Sequence, residues 1–159
     1  MMNMGRRKII DKTDREILAL LKQNADIPME KLKEELFLAS NIKRTRQAIQ
    51  ARVAKLKEEG ILKIKGVVDE RKLGRPILAF VLVSFLPGSQ AQRELARQLT
   101  EIPDVEGVWI ISGDWDILLK VRGKSLEDIG TLTIDKIRSL EGVGKTVTCA
   151  CFESVKEEF

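Results

Sequence analysis

The chain has 159 residues, enough for one domain or two small ones, with 28 Lys and Arg against 24 Asp and Glu and no His at all. No apolar run approaches the roughly 20 residues of a membrane span, and the start, MMNMGRRKII, lacks the apolar core of a signal peptide. The expectation is a cytoplasmic protein with no membrane partner. Without His it lacks the commonest general base and metal ligand. Cys149 and Cys151 alternate along one presumed strand, a spacing that suits neither an ordinary disulfide nor a zinc site, so both are expected as small apolar core residues. No catalytic residue, metal or cofactor is expected.

The charge is uneven. Residues 1–75 carry 19 Lys and Arg against 11 Asp and Glu, net +8, whereas residues 76–159 carry 9 against 13, net −4. The basic excess points to a nucleic-acid-facing first half joined to a segment with different work.

The first half reads as helical. Thr13 with Glu16 has the spacing of a capping box, and Ile17, Leu18, Leu20 and Leu21 supply an apolar face up to Asn24-Ala25-Asp26. Pro28 suits a first helical turn, and Met29, Leu32, Leu36 and Phe37 recur at helical spacing to about Leu38. After Ser40-Asn41 a third helix carries Ile49, Val53 and Leu56 on one face and ends at Gly60. The stretch Ile61 to Val68 alternates apolar residues with Lys, as a short hairpin strand open to solvent would.

This order is that of a helix-turn-helix with a wing. The third helix is expected to hold Lys43, Arg44, Arg46, Arg52, Lys55 and Lys57, with Arg46, Gln47 and Gln50 turned away from Ile49 and Val53. Arg can grip guanine and Gln adenine through paired hydrogen bonds, and the N-terminal half of a recognition helix meets base edges. Lys43, Arg44, Thr45, Arg46, Gln47, Gln50 and Arg52 are therefore the candidate base and phosphate contacts, with Lys63 and Lys65 on the wing as holders of a flanking phosphate. A solvated basic helix face is the plainer alternative.

A polar stretch, residues 68–75, then separates a first domain over 1–67 from a second over 76–159. Ile77 to Leu86 reads as a strand apolar on both faces. Ser89 with Gln92 caps a helix through Leu95, Ala96 and Leu99, and Val105 to Ser112 is a strand. Gly113-Asp114 turns the chain into Ile117 to Val121, Ser125 with Asp128 caps a second helix, and Val143 to Phe152 is the last strand. The fold class is α+β, with a ferredoxin-like βαββαβ domain. A faint echo between Asp104-Val-Glu-Gly-Val108 and Leu140-Glu-Gly-Val143 suggests duplication. Two helices cover only one face of such a sheet, so the other apolar face is expected to pack on a second copy, bringing two DNA-reading heads together. A single-strand RNA reader of this topology would show stacking aromatics there, but the chain has no Tyr and its strands are mainly aliphatic.

The stretch GVGKTVT at residues 142–148 invites a phosphate-loop reading. That loop needs Gly where Ser139 stands and runs from strand to helix, whereas here a helix precedes and a strand follows.

Asp11-Lys-Thr-Asp14-Arg-Glu-Ile17-Leu18, Arg52-Val53, Leu56-Lys-Glu-Glu-Gly-Ile61, Leu73-Gly74 and Ser112-Gly-Asp-Trp-Asp-Ile-Leu-Leu119 occur in that order over nearly the whole chain. Together they resemble the Lrp/AsnC, or feast/famine, transcription regulators of bacteria and archaea. The resemblance implies homodimers through the ferredoxin-like domain, assembling further to tetramers or octamers, that bind double-stranded DNA and respond to an amino-acid-like effector. It places effector binding at Gly113, Asp114 and Trp115 and at Thr146 and Thr148. A half-buried strand remains the plainer reading of the two threonines, and Asp114 with Asp116 makes a weak case for a metal or acid/base pair. The stretch Leu36 to Thr45 is longer than the family's usual turn and lacks its Gly. The leading function is a sequence-specific, effector-modulated regulator. The alternatives are an architectural DNA-binding protein and a small-molecule-binding module with a basic adaptor domain.

Overall fold

The computed structural model describes residues 10–88 and 91–156. The chain divides into two compact units, Met1–Gly66 and Val67–Phe159.

In the first unit, α1 (Lys12–Gln23), α2 (Met29–Ser40) and α3 (Arg46–Glu58) close around Ile17, Leu21, Ile27, Leu32, Leu36, Ile49, Val53 and Leu56. The capping box of α1 lies two residues before the expected one. Asp11 Oδ1 accepts from the Asp14 amide at 2.8 Å, Asp14 Oδ2 accepts from the Asp11 amide at 3.3 Å, and Thr13 is buried instead. Carboxylates at the first turn also meet the positive end of the helix dipole.

No glycine closes α2. Asn41 takes the left-handed conformation, φ 52°, and donates its amide to the Phe37 carbonyl, while Ile42 donates to Leu36. Asn tolerates this region better than most residues, which is how the longer turn still ends the helix cleanly. The strand expected over Ile61 to Val68 is not formed. Leu62 packs on the three-helix core, but no partner strand lies among the described residues of this unit, and a lone segment has no ladder to join.

In the second unit, β1 (Ile77–Phe85), β2 (Val105–Ile110), β3 (Ile117–Gly123) and β4 (Val143–Ala150) form an antiparallel sheet of order β2-β3-β1-β4. Helices α4 (Gln92–Thr100) and α5 (Leu126–Thr131) supply the crossovers, and α5 runs on as a π-helical stretch, Leu132–Ile137. Ser125 and Asp128 form the expected capping box, whereas the expected cap Ser89 lies outside the described residues. Ala79, Val81, Val83, Ile117, Leu119 and Val121 meet Leu95, Leu99, Ile129, Leu132 and Ile137 in one core.

The alternate residues form an open face. Leu82 stands between Leu118 and Val147, Phe80 between Lys120 and Cys149, and Trp109 beside Leu118. Trp109 and Val147 are 48% and 42% exposed, so this face is apolar yet uncovered within the chain. Its two aromatics are separated by β3 rather than adjacent.

Residues 68–75 are fastened to the second unit rather than loose. Arg75 reaches Glu70 at 3.3 Å, Asp104 at 3.4 Å and the Arg122 carbonyl at 3.1 Å. The sequence echo is displaced: Val105 closes its turn on Ile102 and Val143 closes its turn on Leu140, so Gly107 lies in a strand where Gly142 lies in a turn.

Candidate DNA interface and effector site

Helix α3 is split by burial. Ile49, Val53 and Leu56 are buried, while Arg46, Gln47, Gln50, Ala51 and Ala54 are exposed. The two alanines were not expected from sequence. They leave the exposed face low, so a groove wall can approach closely, and a methyl group can pack on thymine. Arg46 lies 3.6 Å from Glu30 of α2, an exposed pair that holds its guanidinium beside the helix start.

The turn before α3 corrects the expected extent of the recognition helix. Lys43 and Arg44 precede it, and Thr45 is its N-cap, with Oγ1 accepting from the Ala48 amide at 3.2 Å. The Lys43 ammonium sits 5.4 Å from the Phe37 ring centre, and Arg44 donates to the Lys43 carbonyl at 3.1 Å. Lys63 and Lys65 are exposed on the irregular segment after α3.

Arg52 does not belong with these residues. Its guanidinium donates to Asp11 at 2.6 Å and to Asp14 at 2.7 Å, tying α3 to the start of α1. The amide of Asp14 and then the Arg52 guanidinium hold the Asp11 carboxyl below its usual range, and the two carboxylates raise the Arg52 pKa further. With one guanidinium between two carboxylates the cluster carries a net −1, so the Arg52 charge is engaged within the protein.

In the second unit, Gly113 and Asp114 are exposed in the β2–β3 turn and Trp115 is half-buried. The neighbouring Asp116 is structural: Oδ2 accepts from the Phe85 amide at 2.8 Å, its carbonyl accepts from Gln92 and from Ile111, and its amide donates to Val83. Thr146 and Thr148 lie across β1, opposite Val83 and Val81, on the face that the helices cover. Strand β1 separates them from β3, so within one chain the two expected halves of the effector site are not brought together. Sequence reading missed the partners of the threonines. Arg138 Nε donates to Thr146 Oγ1 at 2.7 Å, and Thr133 Oγ1 lies 3.4 Å from Thr148 Oγ1.

The turn into β4 accounts for GVGKTVT. Gly142 has φ 87° and accepts from the Leu86 amide. Gly144 backs onto β1, where a Cβ would stand 2.6 Å from Ser84 Oγ, and that hydroxyl accepts from the Lys145 amide at 2.7 Å. The glycines permit a close strand approach, and Lys145 has its amide turned to protein rather than to an anion.

Residues 78–159 match the Lrp/AsnC ligand binding domain, and residues 10–63 match a winged helix-turn-helix DNA-binding domain. An uncharacterised helix-turn-helix-type transcriptional regulator of Pyrococcus horikoshii is 42% identical over 95% of this chain and 98% of its own. The chain belongs to the Lrp/AsnC family. A helix-turn-helix-type transcriptional regulator of Saccharolobus solfataricus, LysM, is 39% identical over 84% of this chain and 87% of its own. The fold is also that of a transcriptional regulator of Neisseria meningitidis solved with L-methionine, at a TM-score of 0.85 and 20% identity over 94% of each chain. As an Lrp/AsnC-type transcriptional regulator the chain pairs a DNA-binding unit with a ligand-binding one. No helix among the described residues is long and apolar enough to cross a membrane.

Proposed function

We propose that this regulator reads DNA sequence with α3 in the major groove. Arg46, Gln47 and Gln50 contact base edges, with Ala51 and Ala54 against the groove floor. Lys43 and Arg44 on the turn and Lys63 and Lys65 after the helix contact phosphates, and Thr45 serves mainly as the cap. The observation that carries this reading is the split of α3, with its aliphatic face buried and its polar face, rich in paired donors and acceptors, exposed.

The open sheet face supports a homodimer. Leu82, Leu118, Trp109 and Val147 offer apolar surface that a second copy would bury, with the two heads then positioned for half-sites about one DNA turn apart. Further assembly to tetramers or octamers would bring Gly113, Asp114 and Trp115 of one copy toward Thr146 and Thr148 of another, completing an amino-acid site. The methionine bound by the Neisseria regulator supports that ligand class. The role is regulatory rather than catalytic, and the compartment is the cytoplasm.

The test is selection of bound fragments from a random DNA pool at two salt concentrations. Enrichment of a palindromic motif whose affinity falls with salt is expected. Salt-sensitive binding without a motif would replace sequence reading by architectural binding.

A further inference from the structure

Two arginines of α3 are met by carboxylates from other helices, and the settings differ. Arg52 is bonded to Asp11 and Asp14 at 2.6 and 2.7 Å, with its side chain 30% exposed. Arg46 is 57% exposed and meets Glu30 of α2, whose Oε1 lies 3.6 Å from Nη1. That separation makes an ion pair without a hydrogen bond. The five N–H donors of the Arg46 guanidinium therefore stay available to DNA.

Both ends of the pair are held by the fold. Arg46 is the first residue of α3, directly after the Thr45 cap that accepts from the Ala48 amide at 3.2 Å. Glu30 stands in the first turn of α2, where the positive end of the helix dipole favours a carboxylate. Leu32 and Leu36 of α2 are fully buried in one core with Ile49 of α3, which fixes the two helices against each other. The second carboxylate oxygen, Oε2, lies 3.7 Å from Lys33.

A carboxylate in this place works against DNA binding as such, because it repels every phosphate that Lys43 and Arg44 on the adjoining turn attract. What it supplies is direction. An arginine free to swing loses rotamer freedom when it is fixed on a base, and the ion pair restricts that freedom before DNA arrives. The carboxylate also ranks the targets. When Arg46 swings onto a phosphate it draws that phosphate toward Glu30, whereas the neutral guanine edge, with O6 and N7 as acceptors, meets no such repulsion.

We propose that Glu30 is a positioning residue for base reading: it holds the Arg46 guanidinium for a guanine edge and away from the phosphate backbone. Affinity for all DNA is lowered and discrimination at one base pair is raised. The proposal rests on the base contact of Arg46 given above and names the side chain that aims it.

The experiment uses the full chain and three duplexes: the site selected from the random pool, the same site altered at the base pair where Arg46→Ala loses preference, and an unrelated sequence. Affinities are read by fluorescence anisotropy at two salt concentrations. Glu30→Gln keeps the shape of the side chain and removes its charge. It should bind the unrelated duplex about twofold more tightly than wild type, and lose about twofold to fivefold of the preference for the selected site over the altered one. Glu30→Asp keeps the charge and should retain part of that preference. On the Arg46→Ala background, Glu30→Gln should leave preference at this base pair unchanged. Circular dichroism of each free variant shows that it is folded. If Glu30→Gln discriminates as wild type does while Arg46→Ala does not, the positioning role is overturned and the base contact stands. A loss of preference at a base pair that Arg46→Ala leaves intact overturns it too, since Glu30 would then read a base itself. If Arg46→Ala keeps both affinity and preference, or if no motif is selected, the base contact falls and takes this proposal with it.

Discussion

Arg52 of α3 and Asp14 of α1 are joined at 2.7 Å, and the same guanidinium nitrogen reaches Asp11 at 2.6 Å. One side chain therefore fixes α3 to the capping box that starts the unit. Both carboxylates also hold amides at the helix start, so cap and ion pair support each other.

Arg52→Ala should destabilise the first unit by about 1–2 kcal/mol, since Arg52 and Asp14 are partly rather than fully buried. Thermal denaturation should show a midpoint several degrees lower. Base preference should be unchanged in fragment selection at a temperature where the variant is folded, because Arg52 is spent within the protein.

Acid should weaken the same contact. The Asp11 carboxyl is lowered in the folded chain, so its contribution is present in full above the unfolded pKa and is lost as pH falls through the lower, folded one. Stability measured by urea denaturation should decline below about pH 4. Asp11→Asn should be less stable than wild type at neutral pH and should flatten part of that decline.

Substitutions on the exposed face of α3 should act on DNA alone. Arg46→Ala and Gln50→Ala should each cost about 1–3 kcal/mol on the preferred site and relax preference at the base contacted. Lys63→Ala should weaken all sequences alike and reduce the dependence of log affinity on log salt by about one phosphate's share. Fluorescence anisotropy across a salt series separates the two patterns. Unchanged affinity for Arg46→Ala would remove it from the contacts.

The open sheet face gives a test of assembly. Leu118→Asp places a carboxylate between Leu82 and Trp109, a position that costs little in a free monomer and much between packed sheets. Sedimentation should show dimers or larger species for wild type and monomers for the variant. Equal mass for both would rule out this face as the dimer contact.

Gly144→Val tests the close approach of β4 to β1. Its side chain would meet Ser84 Oγ, held by the Lys145 amide, as well as Leu86 and the Ser84 carbonyl. A loss of about 1–3 kcal/mol is expected, read as a lower thermal midpoint. Substituting Lys145→Ala should change stability little.

What the sequence revealed was local or periodic. The aliphatic stripe Ile49, Val53, Leu56 marked the inner face of α3, and the nearly continuous apolar run from Ile77 to Leu86 marked β1 as a strand apolar on both faces. The α1 cap was misplaced because Thr13 with Glu16 and Asp11 with Asp14 share one spacing. Arg52, distant in sequence, favours the carboxylate pair. The wing strand expected over Ile61 to Val68 is not formed because alternation specifies faces but supplies no partner. On β4 the pair Thr146 and Thr148 stood out in the sequence, whereas the partner of Thr146, Arg138, did not. The π winding that aims it at Thr146 leaves no signature in residue type, and the contact exists only once β4 lies beside the helix.

The ion pairs around Arg75 bear on heat. Lys136, Asp104, Arg75 and Glu70 follow one another at 3.4, 3.4 and 3.3 Å, joining α5's π-helical extension, the start of β2 and the segment before β1. Linked charges lose less on leaving water as temperature rises, because hydration itself becomes less favourable, while the gain from apolar burial levels off. The second unit's hold on the chain segment entering its sheet thus weighs more in its stability near the melting point than at room temperature.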